Sequence, residues 1–71
     1  MTRADFIVRL KAGLAGMPAN QISDIVADYD THFADAITAG RTEVEVAEAL
    51  GDPGRLAREL KAEEGLKRWD E

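Results

Sequence analysis

The 71-residue chain has no cysteine, which excludes a disulfide framework, a cysteine-ligated zinc or iron–sulfur site and a thiol nucleophile. It has one histidine, His32, and one serine, Ser23. Ser23 falls inside a helical pattern rather than at a strained turn, so a nucleophile with its base and orienting group is hard to assemble. No apolar run reaches the length of about 18 residues that a membrane span needs, and Asp5 and Arg9 interrupt the amino end, so neither a span nor a signal peptide is read within these residues. The glycines are scattered as helix stops. Gly13 and Gly16 precede a proline turn with no strand before them, which does not make a phosphate-binding loop.

What remains is 45% hydrophobic and 32% charged, enough for one small domain over residues 1–71. A chain of this size buries only about 60% of the surface its unfolded form exposes, so a deep catalytic cleft is hard to build. We expect no enzyme, no cofactor and no metal. The formal net charge is −5 and unevenly spread: residues 1–17 sum to +2, residues 18–40 to −4 with no basic residue, residues 41–54 to −3, and residues 55–71 to zero. Such a surface repels a duplex phosphate backbone, so nucleic acid is an unfavourable main partner.

Apolar residues recur at helical spacing in four segments and nowhere alternate as in strands, which predicts an all-α fold, a small bundle of four helices over about 3–15, 19–38, 43–50 and 53–64. Thr2 is placed as the first N-cap, and Phe6, Ile7, Leu10, Leu14 and Met17 share the inward face. Val8 falls opposite, as an ordinary exposed valine or as part of a partner surface. Pro18 ends this helix and starts the next. In the second helix Ile22, Ile25, Val26, Tyr29, Phe33, Ala36 and Ile37 form the inner stripe, and its two aromatics make it the expected centre of the core. Gly40 closes it.

Thr42-Glu43-Val44-Glu45 reads as a capping box, with the Glu45 carboxylate reaching back to the Thr42 amide, and Val46, Ala47 and Leu50 are buried behind it. Gly51 stops the third helix, then Asp52-Pro53 caps and starts the fourth, whose inner residues are Leu56, Ala57 and Leu60. Beyond Lys61 the phase changes and Gly65 marks a break. The tail 65–71, with Leu66 and Trp69, continues as helix, folds back on the core or frays.

Asp24, Asp28, His32 and Asp35 line one outer stripe of the second helix. Carboxylates and imidazole at that spacing suit a divalent cation, but one bare helix lacks the further ligands and outer hydrogen bonds that hold a metal, so a solvated acidic face is the preferred account. With Glu43, Glu45 and Glu48 these residues form the candidate partner surface, able to steer a basic protein, although each carboxylate also serves solubility. The helix-turn-helix-like joint at Gly51-Asp52 offers the alternative of a DNA-binding module, with Arg55, Arg58 and Lys61 on the recognition helix. Glu43, Glu45, Glu48 and Asp52 would face the same phosphates and oppose it.

The order Phe6, Leu10, Leu14, Pro18, Tyr29, Gly40, Glu43, Glu45, Val46, then Leu50-Gly51-Asp52-Pro53, Leu56-Ala57 and Glu59-Leu60 resembles the HAAS family, small α-helical signalling domains associated with PadR-type winged-helix transcriptional regulators. The resemblance spans about residues 3 to 60. It implies a non-enzymatic cytoplasmic domain that relays a signal to a partner regulator, often at the amino end of a membrane-anchored protein. No span occurs within these residues, so the chain is expected to be a free-standing member or a domain of a longer protein. If a span follows, Leu66, Lys67, Arg68 and Trp69 are juxtamembrane. A homodimer that buries Val8, Leu66 or Trp69 is a further expectation.

Overall fold

A computed structural model describes the backbone of residues 1–69 and the side chains of residues 1–63. The helices are α1 (Arg3–Gly13), α2 (Ala19–Thr38), α3 (Glu43–Leu50) and α4 (Pro53–Trp69), with no strand among the described residues, so the fold is a small all-α bundle. Among the described residues no helix is long and apolar enough to cross a membrane.

Local chemistry sets the boundaries. The Thr2 hydroxyl accepts from the Asp5 amide at 3.1 Å, and the Thr42 hydroxyl accepts from the Glu45 amide at 3.1 Å, each satisfying one of the orphan donors at a helix start. The capping box is closed differently from the expectation. Glu45 Oε1 takes a hydrogen bond from the Thr42 hydroxyl at 3.2 Å instead of reaching the Thr42 amide. Asp52 caps α4 by accepting from the amides of Gly54 and Arg55 at 3.4 and 3.3 Å. At the end of α2 the amides of Gly40 and Arg41 donate to Ile37 and Ala36 at 3.0 Å, the paired pattern of a Schellman close. Gly51 turns the chain between α3 and α4 at φ 89°, ψ −161°, a conformation open essentially to glycine alone.

Two helix ends differ from the expected ones. α1 stops at Gly13 instead of 15, because the Leu14 amide already shares its bond between Leu10 and Lys11 and the chain then turns through Gly16 at φ 100°. α4 runs past 64 to Trp69, so as far as residue 69 the tail takes the first of the three courses left open, continuing as helix, and Gly65 lies inside it instead of marking a break. A glycine costs only about 1 kcal/mol against alanine in a helix interior, too little to break one that is otherwise well formed. Packing of Leu66 and Trp69 lies outside the described side chains, and Asp70 and Glu71 lie outside the described residues.

The core joins Phe6, Leu10 and Leu14 to Phe33, Val46, Ala47 and Ala57, with Pro53 also fully enclosed. Its centre is α1, not α2 as expected: α1 packs on α2, α3 and α4, whereas α2 packs on α1 and α3. Phe6 is the reason. Its ring lies 5.3 Å from that of Phe33 and 6.1 Å from that of Tyr29, both tilted, so the two α2 aromatics close around an α1 side chain. Ile7, Met17, Ile22, Ile25, Tyr29, Ala36, Leu50, Leu56 and Leu60 are partly buried around this centre, and Val26 is half-buried. Ile37, expected inside, is 38% exposed; it sits in the last turn of α2, beyond the reach of the buried cluster.

α1 and α4 cross closely. A methyl group built on Gly13 would lie 2.6 Å from the Ala57 Cβ. The small residue at position 57 is therefore set by α1; among the described residues α3 and α4 share their joint but no packing face comparable to these.

Candidate interaction surface

The amino end of α1 gathers three helices. Glu43 Oε1, at the start of α3, accepts from the Arg3 amide at 2.7 Å. Placing a carboxylate on an orphan amide at a helix start satisfies a donor and complements the positive end of the helix dipole. The Arg3 guanidinium turns toward α2. Its Nε donates to Asp30 Oδ1 at 2.8 Å, and a terminal nitrogen donates to the Asp30 carbonyl at 3.2 Å while lying 2.8 Å from the same Oδ1. Both side chains are partly open to water, at 33% and 52% exposure, so the pair contributes about 0–1 kcal/mol and acts mainly to fix geometry.

Beside this cluster lies an open groove of about 420 Å³, lined by Arg3, Ala4, Ile7, Val8, Asp30 and Glu43. Ala4, Ile7 and Val8 share one side of α1 through three- and four-residue spacing and give it an apolar floor. Val8 is 65% exposed, the most exposed of the large apolar side chains described. In the sequence Val8 stood out, but the partners Arg3 and Asp30 did not. They are 27 residues apart, and no local spacing connects them.

Asp24, Asp28, His32 and Asp35 are all exposed on α2, and Glu45 and Glu48 are exposed on α3. Glu43 is exposed as well, and its carboxylate also accepts from the Arg3 amide at the start of α1. Among the described residues no group of three or more histidine, aspartate or glutamate side chains is gathered closely enough to hold a metal ion. The acidic α2 side receives an addition from α4. Burial raises the Tyr29 hydroxyl pKa above its ordinary value of 10.0, and the charges of Glu63, Asp28 and Glu59 raise it further. Glu59 and Glu63 therefore lie in the same negative field as Asp28.

The joint between α3 and α4 holds a smaller hollow of about 270 Å³, lined by Leu50, Gly51, Asp52, Arg55, Leu56 and Glu59. Two of the three cations expected to project from α4 toward DNA are used within the chain. Lys61 Nζ donates to the Ala15 carbonyl at 3.0 Å, holding the turn after α1, and Arg55 lies 3.5 Å from Glu59 one turn along. Arg58 is exposed and makes no hydrogen bond or ion pair among the described residues.

No curated protein and no solved structure matches the chain. Among the models of protein families, that of HAAS matches residues 5–59. The matched stretch takes in α1 from Asp5 onward, all of α2 and α3, the Gly51-Asp52 joint and α4 as far as the Glu59 that pairs with Arg55. With most of its 71 residues inside that match and a four-helix architecture of its own, the chain belongs to the HAAS family.

Proposed function

We propose that this chain is a non-enzymatic adaptor domain that acts by binding another protein, and that the partner is a PadR-type winged-helix transcriptional regulator at the cytoplasmic side of the membrane. The observation that carries the reading is the exposed acidic surface. Asp24, Asp28 and Asp35 stand on α2, which has no lysine or arginine, and Glu45 and Glu48 stand on α3; none of them forms an ion pair among the described residues. An acidic face of this kind raises association rate and selectivity toward a basic partner surface more than it raises affinity. DNA is disfavoured on the same ground, since binding the duplex requires a patch of lysine and arginine to displace counterions.

A heteronuclear NMR titration tests this, with a PadR-type winged-helix regulator and, separately, with mixed duplex DNA at two salt concentrations. Amide shifts with the regulator alone support the adaptor. Shifts with DNA alone, centred on Arg55 and Arg58 and lost as salt rises, refute it in favour of a DNA-binding module.

A further inference from the structure

We propose that the groove at the start of α1 seats an amphipathic helix of the protein partner, one whose aliphatic ridge is flanked by lysine or arginine. This names the docking face for the adaptor reading and rests on it. The floor of the groove is Ala4, Ile7 and Val8, an apolar strip on the one helix that also anchors the core. Val8 stays 65% exposed there. Apolar side chains at three- and four-residue steps make a ridge against which the apolar face of a second helix packs.

The rim selects the charge of the occupant. Arg3 is the cation of the lining, and it is already committed to Asp30 through two nitrogens. Asp30 uses Oδ1 for the Arg3 side chain, and Glu43 uses Oε1 for the Arg3 amide. Their second oxygens, Oδ2 and Oε2, receive no donor among the described residues. The rim therefore offers acceptors and asks for donors. A neutral helix seated here would strip water from two carboxylate oxygens without replacing it, and an acidic one would add repulsion. Lysine or arginine flanking the ridge supplies charge-assisted hydrogen bonds at both positions. The α2 stripe at Asp24 and Asp28 carries the acid without an apolar floor, so it steers the partner and does not seat it.

The test uses the isotope-labelled 71-residue chain and three designed helical peptides of about 18 residues, about 27 Å long at 1.5 Å per residue. One carries a leucine ridge flanked by lysine, one the same ridge flanked by glutamate, and one the lysines with serine in place of leucine. The lysine–leucine peptide is expected to shift the amides of Ala4, Ile7, Val8 and Glu43, and the other two to leave them in place. Val8→Gln is expected to weaken that peptide about tenfold, equivalent to about 1.4 kcal/mol. Because Val8 is largely exposed, the rest of the variant's amide spectrum should be unchanged, which shows that it is folded. Equal binding of the glutamate-flanked ridge, shifts confined to Asp24 and Asp28, or no shifts overturn the proposal. A parallel titration with the regulator separates the two claims. Regulator binding that Val8→Gln leaves intact overturns the groove and keeps the adaptor, whereas peptide binding in the groove without regulator binding keeps the groove and overturns the assigned partner.

Discussion

Gly13→Ala is the most discriminating single change in this bundle, because its sign depends on how closely α1 and α4 cross. Gly13 closes α1 without a positive φ, so alanine meets no backbone strain there. On an isolated helix the change would stabilise by up to about 1 kcal/mol, through helix propensity and a less flexible unfolded chain. In the bundle the new methyl would lie 2.6 Å from the Ala57 Cβ, against an ordinary carbon–carbon contact of about 3.5–4.0 Å. Both carbons are fixed to helical backbone, so no rotamer relieves the contact and the helices must separate by about 1 Å. Overpacking of this kind costs about 1–3 kcal/mol, which outweighs the propensity gain and leaves a net loss of about 1–2 kcal/mol. For a domain of this size the midpoint of thermal unfolding falls by about 4–15 °C. Circular dichroism melts of Gly13→Ala, Ala57→Gly and the double variant form the assay. Ala57→Gly alone loses about 1–2 kcal/mol through propensity and a buried methyl, and the double variant should lose no more than that, because the methyl has only changed helices. A Gly13→Ala protein that melts higher than the parent, or a double variant whose loss equals the sum of the singles, refutes the close crossing.

Phe6→Ala should remove about 3–5 kcal/mol from a domain whose whole stability is about 4–11 kcal/mol, since the ring is the contact shared by Tyr29 and Phe33; urea unfolding reads it, and a loss below about 2 kcal/mol places the centre of the core elsewhere. Thr42→Ala should cost about 1 kcal/mol by freeing the Glu45 amide, and Thr42→Ser should recover most of it in the same assay. Tyr29 predicts an alkaline limit. Its folded pKa is raised by burial and then by Glu63, Asp28 and Glu59, so the folded state holds the phenolic proton more tightly than the unfolded chain does. That contribution is complete below the ordinary value of 10.0 and is lost as pH rises through the raised value, so Tyr29→Phe should flatten the stability profile above pH 10 while leaving its neutral region parallel to the parent. Identical alkaline profiles for the two proteins count against the assignment.

Where local chemistry dictates structure, the sequence was a reliable guide. Thr2, Thr42 and Asp52 cap their helices, and Gly51 turns the chain between α3 and α4 at a positive φ that suits glycine, because each of these roles is settled within a few residues. The inner faces of α1, α3 and α4 follow from helical periodicity for the same reason. Which helix occupies the centre does not follow from periodicity. The Tyr29–Phe33 pair gives α2 the largest apolar area in the sequence, yet a helix with a broad aromatic stripe can enclose a neighbour as well as be enclosed, and here it encloses Phe6. The close approach of Gly13 to Ala57 was hidden in the same way: both small residues had a plausible local use, one near a helix end and one on the inner face of α4.

The candidate surface divides along the same line. Exposure of Asp24, Asp28, His32 and Asp35 can be read from one helix, because it depends only on which face the core takes. The fate of Glu43 cannot, since the amide it meets belongs to Arg3, 40 residues earlier. A carboxylate at the first position of α3 serves that helix's own dipole whatever lies beside it, so the sequence gives it a complete local explanation and no reason to look further. Only the packing of α3 on α1 brings it to a second helix start, and with Asp30 it then turns an ordinary exposed valine into the floor of an acid-rimmed groove. A charge count along the sequence therefore finds the acidic field on which the adaptor proposal rests, while the proposed seat emerges from the tertiary contacts that leave particular oxygens without donors.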